Sequence, residues 1–240
     1  MCITQPDDQS ARGLPAARLA CDALLFDLDG VLVDSTACVE ESWRAWATRH
    51  GLDADTVMGV AHGRRAVDTL RDVAPELDPA AELTALTAHE AHATEGLCAM
   101  PGARELLGSL PRGRWAVVTS GARAVAEHRL RHAGLPVPPV MICAEDVMHG
   151  KPDPEGYLAA AARLGLDPMN CVVVEDAPPG IEAAHSAGMR AIAVATTFPP
   201  AALIAADAVI RALSGLAVRV DGGPDAERLD LELRTIAPSA

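Results

Sequence analysis

Two aspartates, Asp27 and Asp29, follow the short apolar run Ala23-Leu24-Leu25-Phe26 and precede Gly30. Successive side chains on an extended segment point to opposite sides, so both carboxylates leave the same side of the chain and Leu28 points the other way. Gly30 permits the sharp turn that follows. Two carboxylates side by side repel, so they need a cation, a shared proton or separate roles. Other polar groups stand at the ends of later apolar runs: Thr119-Ser120-Gly121, Gly150-Lys151-Pro152 and Glu175-Asp176. Four acids in one crevice call for a hard divalent cation, and oxygen ligands with retained waters suit Mg²⁺. Lys151 adds a fixed positive charge, and Thr119 a hydroxyl beside backbone N–H groups. Together these groups make a cradle for a phosphoryl group.

The elements that must position these residues follow from the apolar pattern. Ala23–Phe26, Trp115–Val118, Val140–Ile142, Cys171–Val174 and Ala191–Val194 are short, nearly unbroken apolar runs, the pattern of strands buried on both faces. Helical patterns closed by glycines lie between them: 103–107, 122–133, 157–164 and 181–187. Alternating strand and helix predicts an α/β, doubly wound parallel sheet. Ligands of such sheets bind beyond the carboxyl ends of the strands, where the four polar groups stand. Taken singly, each group has a plain structural explanation as a turn or helix cap; it is their order, each at a strand end, that carries the chemistry. A Walker loop is excluded, because the glycine it needs at 145 is Glu145.

Residues 35–99 read differently. Val39, Trp43 and Trp46 follow helical spacing before Gly51, Val67, Leu70 and Val73 follow, and no strand-like run occurs. This predicts a helical insertion between the first strand and the rest of the sheet, with the tryptophans in its own core. The chain divides into a flexible arm (1–20), an α/β core (21–34 and 100–240) and a helical cap (35–99) hinged near Asp34 and Met100-Pro101. The tail after Asp221 reads as peripheral, with Leu229, Leu231 and Leu233 able to form a late edge strand. His62 and Arg65, beside Gly63, are candidates to reach a substrate. His89 and His92 around Glu90 stand too close for an HExxH zinc site.

Composition removes several classes of function. Lys and Arg number 20 against 33 Asp and Glu, a net charge of −13, which disfavours nucleic acid and anionic membranes as partners. Aromatics are 2%, too few for stacking on single strands. No apolar stretch has the length of a transmembrane span, and Met1–Ala20 lacks the order of a signal peptide. The six cysteines include no CxxC pair, so reduced thiols in a cytoplasmic protein are expected, here a monomer.

The four groups in this order resemble the motifs of the haloacid dehalogenase superfamily, in its subfamily with a helical cap. Asp27-Leu28-Asp29-Gly30-Val31 is similar to the first motif, Thr119 to the second, Lys151 to the third and Glu175-Asp176 to the fourth. The resemblance covers nearly all of residues 22–210. It implies that Asp27 is the nucleophile and forms an aspartyl-phosphate, that Asp29 is the general acid and base, and that Thr119, Ser120, Gly121 and Lys151 bind the phosphoryl group. It further implies Mg²⁺ on Asp27, the Asp29 backbone carbonyl and Asp176, with Glu175 as a ligand or one place removed. The second acid, Asp29, argues against dehalogenation. His62-Gly63-Arg64-Arg65-Ala66 departs from the Lys-Gly-x-x-Arg pattern of the phosphoglucomutases of this subfamily. The whole set looks more like glycerol-phosphate and sugar-phosphate phosphatases. The expectation is therefore a Mg²⁺-dependent phosphatase of a small phosphorylated metabolite. A β-phosphoglucomutase-like enzyme and a non-enzymatic binding module are the alternatives.

Overall fold

The computed structural model of the chain describes residues 16–61, 63–221 and 228–237. Strands β1 (Ala16–Cys21), β2 (Ala23–Phe26) and β3 (Val33–Asp34) lead into four helices: α1 (Thr36–His50), α2 (Ala54–Ala61), α3 (Ala66–Val73) and α4 (Pro79–Glu90). β4 (Cys98–Ala99) leaves this helical segment. It is followed by α5 (Ala103–Ser109), β5 (Trp115–Val118), α6 (Arg123–His132), β6 (Met141–Ile142) and α7 (Glu155–Leu164). β7 (Cys171–Glu175), α8 (Pro178–Ser186), β8 (Arg190–Val194) and β9 (Ala208–Ile210) complete the alternation, and β10 (Leu216–Asp221) and β11 (Arg228–Arg234) end it.

The main sheet has six strands in the order β6-β5-β2-β7-β8-β9, every neighbouring pair parallel. Side chains alternate across it. Leu24, Phe26, Val117, Val172 and Val174 pack with Leu106, Leu107, Ala126 and Leu130 of α5 and α6. Leu25, Val118, Val173, Ala191 and Ala193 pack on the opposite face with Tyr157, Ala160, Ile181 and Ala184 of α7 and α8. Helices on both faces explain why the strands are apolar runs and not alternating patterns. The strand order also converges the chemistry: β2 lies between β5 and β7, so Asp27, Thr119 and Glu175 leave adjacent strand ends.

A second, antiparallel sheet has the order β1-β11-β10. The segment read as an arm to residue 20 thus contributes a strand from Ala16 onward. The expectation of an edge strand at Leu229, Leu231 and Leu233 is corrected: β11 is the central strand. Its three leucines are buried on one face and extend the core beside Leu107 and Leu216, which anchors strands on both sides of it.

The helical segment has its own core of Trp43, Trp46, Val57, Met58, Leu70 and Leu86. The two tryptophan rings meet edge to face at 5.6 Å, and Trp46 Nε1 donates to Glu82 Oε2 at 2.8 Å. β3 and β4 pair antiparallel, holding the entering and leaving strands of this segment side by side.

Candidate active site

Asp27, immediately beyond β2, is buried and accepts from Lys151 Nζ at 2.6 Å through Oδ1. The same ammonium donates to Glu175 Oε1 at 2.5 Å, and Tyr157 Oη donates to that oxygen at 3.0 Å. Glu175 Oε2 accepts from the backbone N–H groups of Asp176 at 2.9 Å and Ala177 at 3.0 Å. Both oxygens of Glu175 are therefore engaged, and the residue serves to hold Lys151 beside Asp27. It fits only because residue 180 is glycine: a Cβ there would lie 1.8 Å from Oε1.

Asp27, Glu175 and Asp176 each bring a carboxylate oxygen within 4.8 Å of the others. Burial pushes the Asp27 carboxyl up to about 7 against the pull of Lys151. Burial, then Glu175 and Asp27, push Asp176 well above the ordinary carboxylate range. Burial works against the charge on Lys151, but Asp27 and Glu175 outweigh it and hold the ammonium well above its usual range. Asp27 and Asp176 thus form an oxygen-only, charge-crowded pair, the donor set that suits a hard divalent cation. Gly30 keeps the approach open. Its φ of 76° is left-handed, and a Cβ there would meet Asp176 Oδ2 at 2.0 Å.

Asp27, Asp29, Thr119, Ser120, Gly121 and Asp176 all line one cavity of about 900 Å³ between the strand ends and the helical segment. Thr119 accepts from the Gly121 N–H at 3.0 Å, so its own proton remains available to a ligand. Ser120 Oγ instead donates to the Gly63 carbonyl at 3.1 Å, across the gap to the loop between α2 and α3. Arg65, from the same loop, is nearly buried. It gives Nε and Nη2 to Asp68 at 2.7 and 3.1 Å and Nη1 to the Val147 carbonyl at 3.1 Å. Its donors thus fasten the helical loop to the core loop that leads to Lys151. His62, the other residue singled out there, lies outside the described residues.

Asp29 is held differently from Asp27. Its Oδ1 accepts from Ser35 Oγ at 2.6 Å and from Arg129 Nη1 at 2.7 Å, while Arg129 Nη2 reaches Glu90 of α4 at 3.2 Å. Sequence reasoning missed Arg129 and Tyr157, and noted Glu90 only while rejecting a zinc site. A signal for Arg129 existed: Val125, Ala126, Arg129 and Leu130 form the buried face of α6, and a lone arginine on an apolar face needs buried partners.

Comparison with known proteins agrees with this geometry. A family model described as haloacid dehalogenase-like hydrolase matches residues 21–188. Hexitol phosphatase A of Escherichia coli (strain K12) is 45% identical over 205 residues, covering 83% of this chain and 95% of the relative. Glycerol-1-phosphate phosphohydrolase 2 of Saccharomyces cerevisiae is 38% identical over 192 residues, covering 75% and 77%. Among solved structures, a hydrolase from Pseudomonas syringae superposes with a TM-score of 0.66 at 25% identity, covering 73% of this chain and 85% of the other.

Proposed function

As a member of the haloacid dehalogenase-like hydrolases, this chain is a phosphatase of small phosphorylated metabolites, and we propose that it carries the phosphoryl group on Asp27. The observation behind this reading is the placement of the Asp27 carboxylate, pinned by Lys151 at 2.6 Å and open to the shared cavity. The carboxylate attacks phosphorus, and the Lys151 ammonium, the Thr119 hydroxyl and the Ser120-Gly121 backbone bind the phosphoryl oxygens. Asp29, on the cavity wall, gives its proton to the leaving oxygen and takes one from the water that next hydrolyses the acyl phosphate. Glu175 and Tyr157 keep Lys151 in place throughout.

The residues at hand fit Mg²⁺ held by Asp27, Asp176 and the Asp29 backbone carbonyl, with Glu175 outside because its oxygens are engaged. When bound, Mg²⁺ offsets the charge of the phosphate dianion so that an anionic nucleophile can approach it. Residues 35–99 act as a cap over the core formed by 21–34 and 100–240. The contacts of Ser120 with Gly63 and of Arg65 with Val147 support this division, since they close the cap on the core. Relatives named for hexitols and glycerol 1-phosphate support a sugar, polyol or glycerol phosphate as substrate. The buried thiols of Cys21, Cys38, Cys143 and Cys171, free among the described residues, favour a reducing cytoplasm.

The test is free phosphate release from a panel of hexitol, hexose and glycerol phosphates, with Mg²⁺ and with excess chelator. Release that needs the ion is expected, with the ranking showing what the cap admits. Isomer conversion without net phosphate release would replace this reading with a mutase, and binding without turnover would replace it with a binding module.

A further inference from the structure

Arg129 is a core residue of α6, buried to 3% exposure, yet its two terminal nitrogens end on different bodies. Nη1 meets Asp29 on the loop after β2, and Nη2 meets Glu90 at the end of cap helix α4. A guanidinium is a rigid planar fork, so anchoring one prong fixes the other. On the far side Ser35, the residue that opens the cap segment, donates to the same Asp29 oxygen at 2.6 Å. Two donors therefore converge on Oδ1, and neither engages Oδ2, although Asp29 faces the cavity. A carboxyl clamped through one oxygen presents the other in a single orientation, the requirement for a proton donor that must meet a leaving oxygen.

We propose that Arg129 is the positioning residue of the acid–base step, with Glu90 and Ser35 placing it so that closure of the cap aims Oδ2 of Asp29 at the leaving group. This rests on the reading of Asp29 as acid and base. In the step concerned, the Asp27 carboxylate forms a new bond to phosphorus as the ester P–O bond breaks. That bond's electron pair stays on the leaving oxygen, which takes the proton from Asp29 Oδ2. The arginine touches none of the reacting atoms. Its neighbourhood ties the position of the cap to the chemistry: were α4 displaced, Nη2 would lose Glu90 and the fork would be held at one end only.

The experiment compares kcat/KM, which reports only steps through phosphoryl transfer to the enzyme, for two esters. One is the alkyl phosphate hydrolysed fastest in the panel above, whose alkoxide needs a proton. The other is p-nitrophenyl phosphate, whose phenolate leaves without one. Arg129→Gln is expected to lose about 10²-fold or more on the alkyl ester and less than about tenfold on the aryl ester. Arg129→Lys should fall between, because the ammonium keeps the charge but lacks the rigid two-pronged fork that reaches Asp29 and Glu90 at once, and Glu90→Gln should shift the ratio in the same direction by less. The ratio is taken within one preparation, so it does not depend on how much of a variant folds. Equal losses on both esters, or a change in KM alone, would overturn the proposal. Asp29→Asn serves as the control for the underlying reading. If it too loses equally on both esters, the acid–base assignment fails; if it is selective and Arg129→Gln is not, only the positioning role fails.

Discussion

Gly180→Ala sets two physical rules against each other at one atom. Residue 180 lies in the first turn of α8, and alanine in a helix is ordinarily favoured over glycine by up to about 1 kcal/mol. Here the added Cβ would stand 1.8 Å from Glu175 Oε1, 2.0 Å from Cδ and 2.7 Å from Cγ. Glu175 cannot step aside cheaply, because it is 1% exposed and its oxygens hold Lys151, Tyr157 and two backbone N–H groups. Overpacking a closed site costs about 1–3 kcal/mol. Pulling Oε1 from a charged partner adds ~1.5–3 kcal/mol. After subtracting the helix preference, a net loss of roughly 1.5–5 kcal/mol remains, which for a chain of this size lowers Tm by about 3–20 °C. Activity should fall further than stability, by about 10²-fold or more, because Lys151 loses the group that aims it. Thermal melts with steady-state phosphate release measure both. A variant as stable as the parent, with full turnover, would refute the claim that Glu175 is locked and that Lys151 depends on it.

Two further outcomes follow from burial. Burial pushes the thiols of Cys21 and Cys143 up to about 12 and that of Cys171 to about 11, so iodoacetamide at about pH 8 should leave all three unmodified until the protein unfolds; prompt labelling in the native protein, read by peptide mass, would contradict this. Asp27 titrates near 7 in the ion-free protein against an ordinary value of 3.8. A carboxyl raised in this way contributes stability that is complete below its ordinary value and is lost as pH rises through about 7. Cation binding relieves the same charge and must displace the proton below about pH 7. Stabilisation of the fold by Mg²⁺ should therefore be weak at about pH 5.5 and strong at about pH 8, with proton release on binding at the lower pH. Stabilisation that is equal at both, in melts with and without the ion, would argue against Asp27 as a ligand.

The core was legible because its signals are local. Apolar runs ending in Asp27, Thr119 and Glu175 name both the strands and the site, and their adjacency follows from the strand order. The tryptophan spacing in α1 likewise announced a helical core. What escaped depends on contacts distant in sequence. β11 looked like an edge because its partners, β1 and β10, come from opposite ends of the chain. The Arg129–Asp29 pair spans 100 positions, and Arg129–Glu90 spans 39. Arg65, singled out for its place in a basic loop, does line the cavity, but its ties to Asp68, three residues on, and to the Val147 carbonyl across the gap were not legible.

The central claim is that the phosphoryl group rests on Asp27. Rapid-quench denaturation during turnover of p-nitrophenyl phosphate with Mg²⁺, followed by peptide mapping, tests it most directly. The expected result is one hydroxylamine-sensitive phosphoryl group on the peptide containing Asp27, accumulating in Asp29→Asn and absent, together with turnover, from Asp27→Asn. Turnover that persists in Asp27→Asn, or a phosphoryl group found on another residue, would contradict the account.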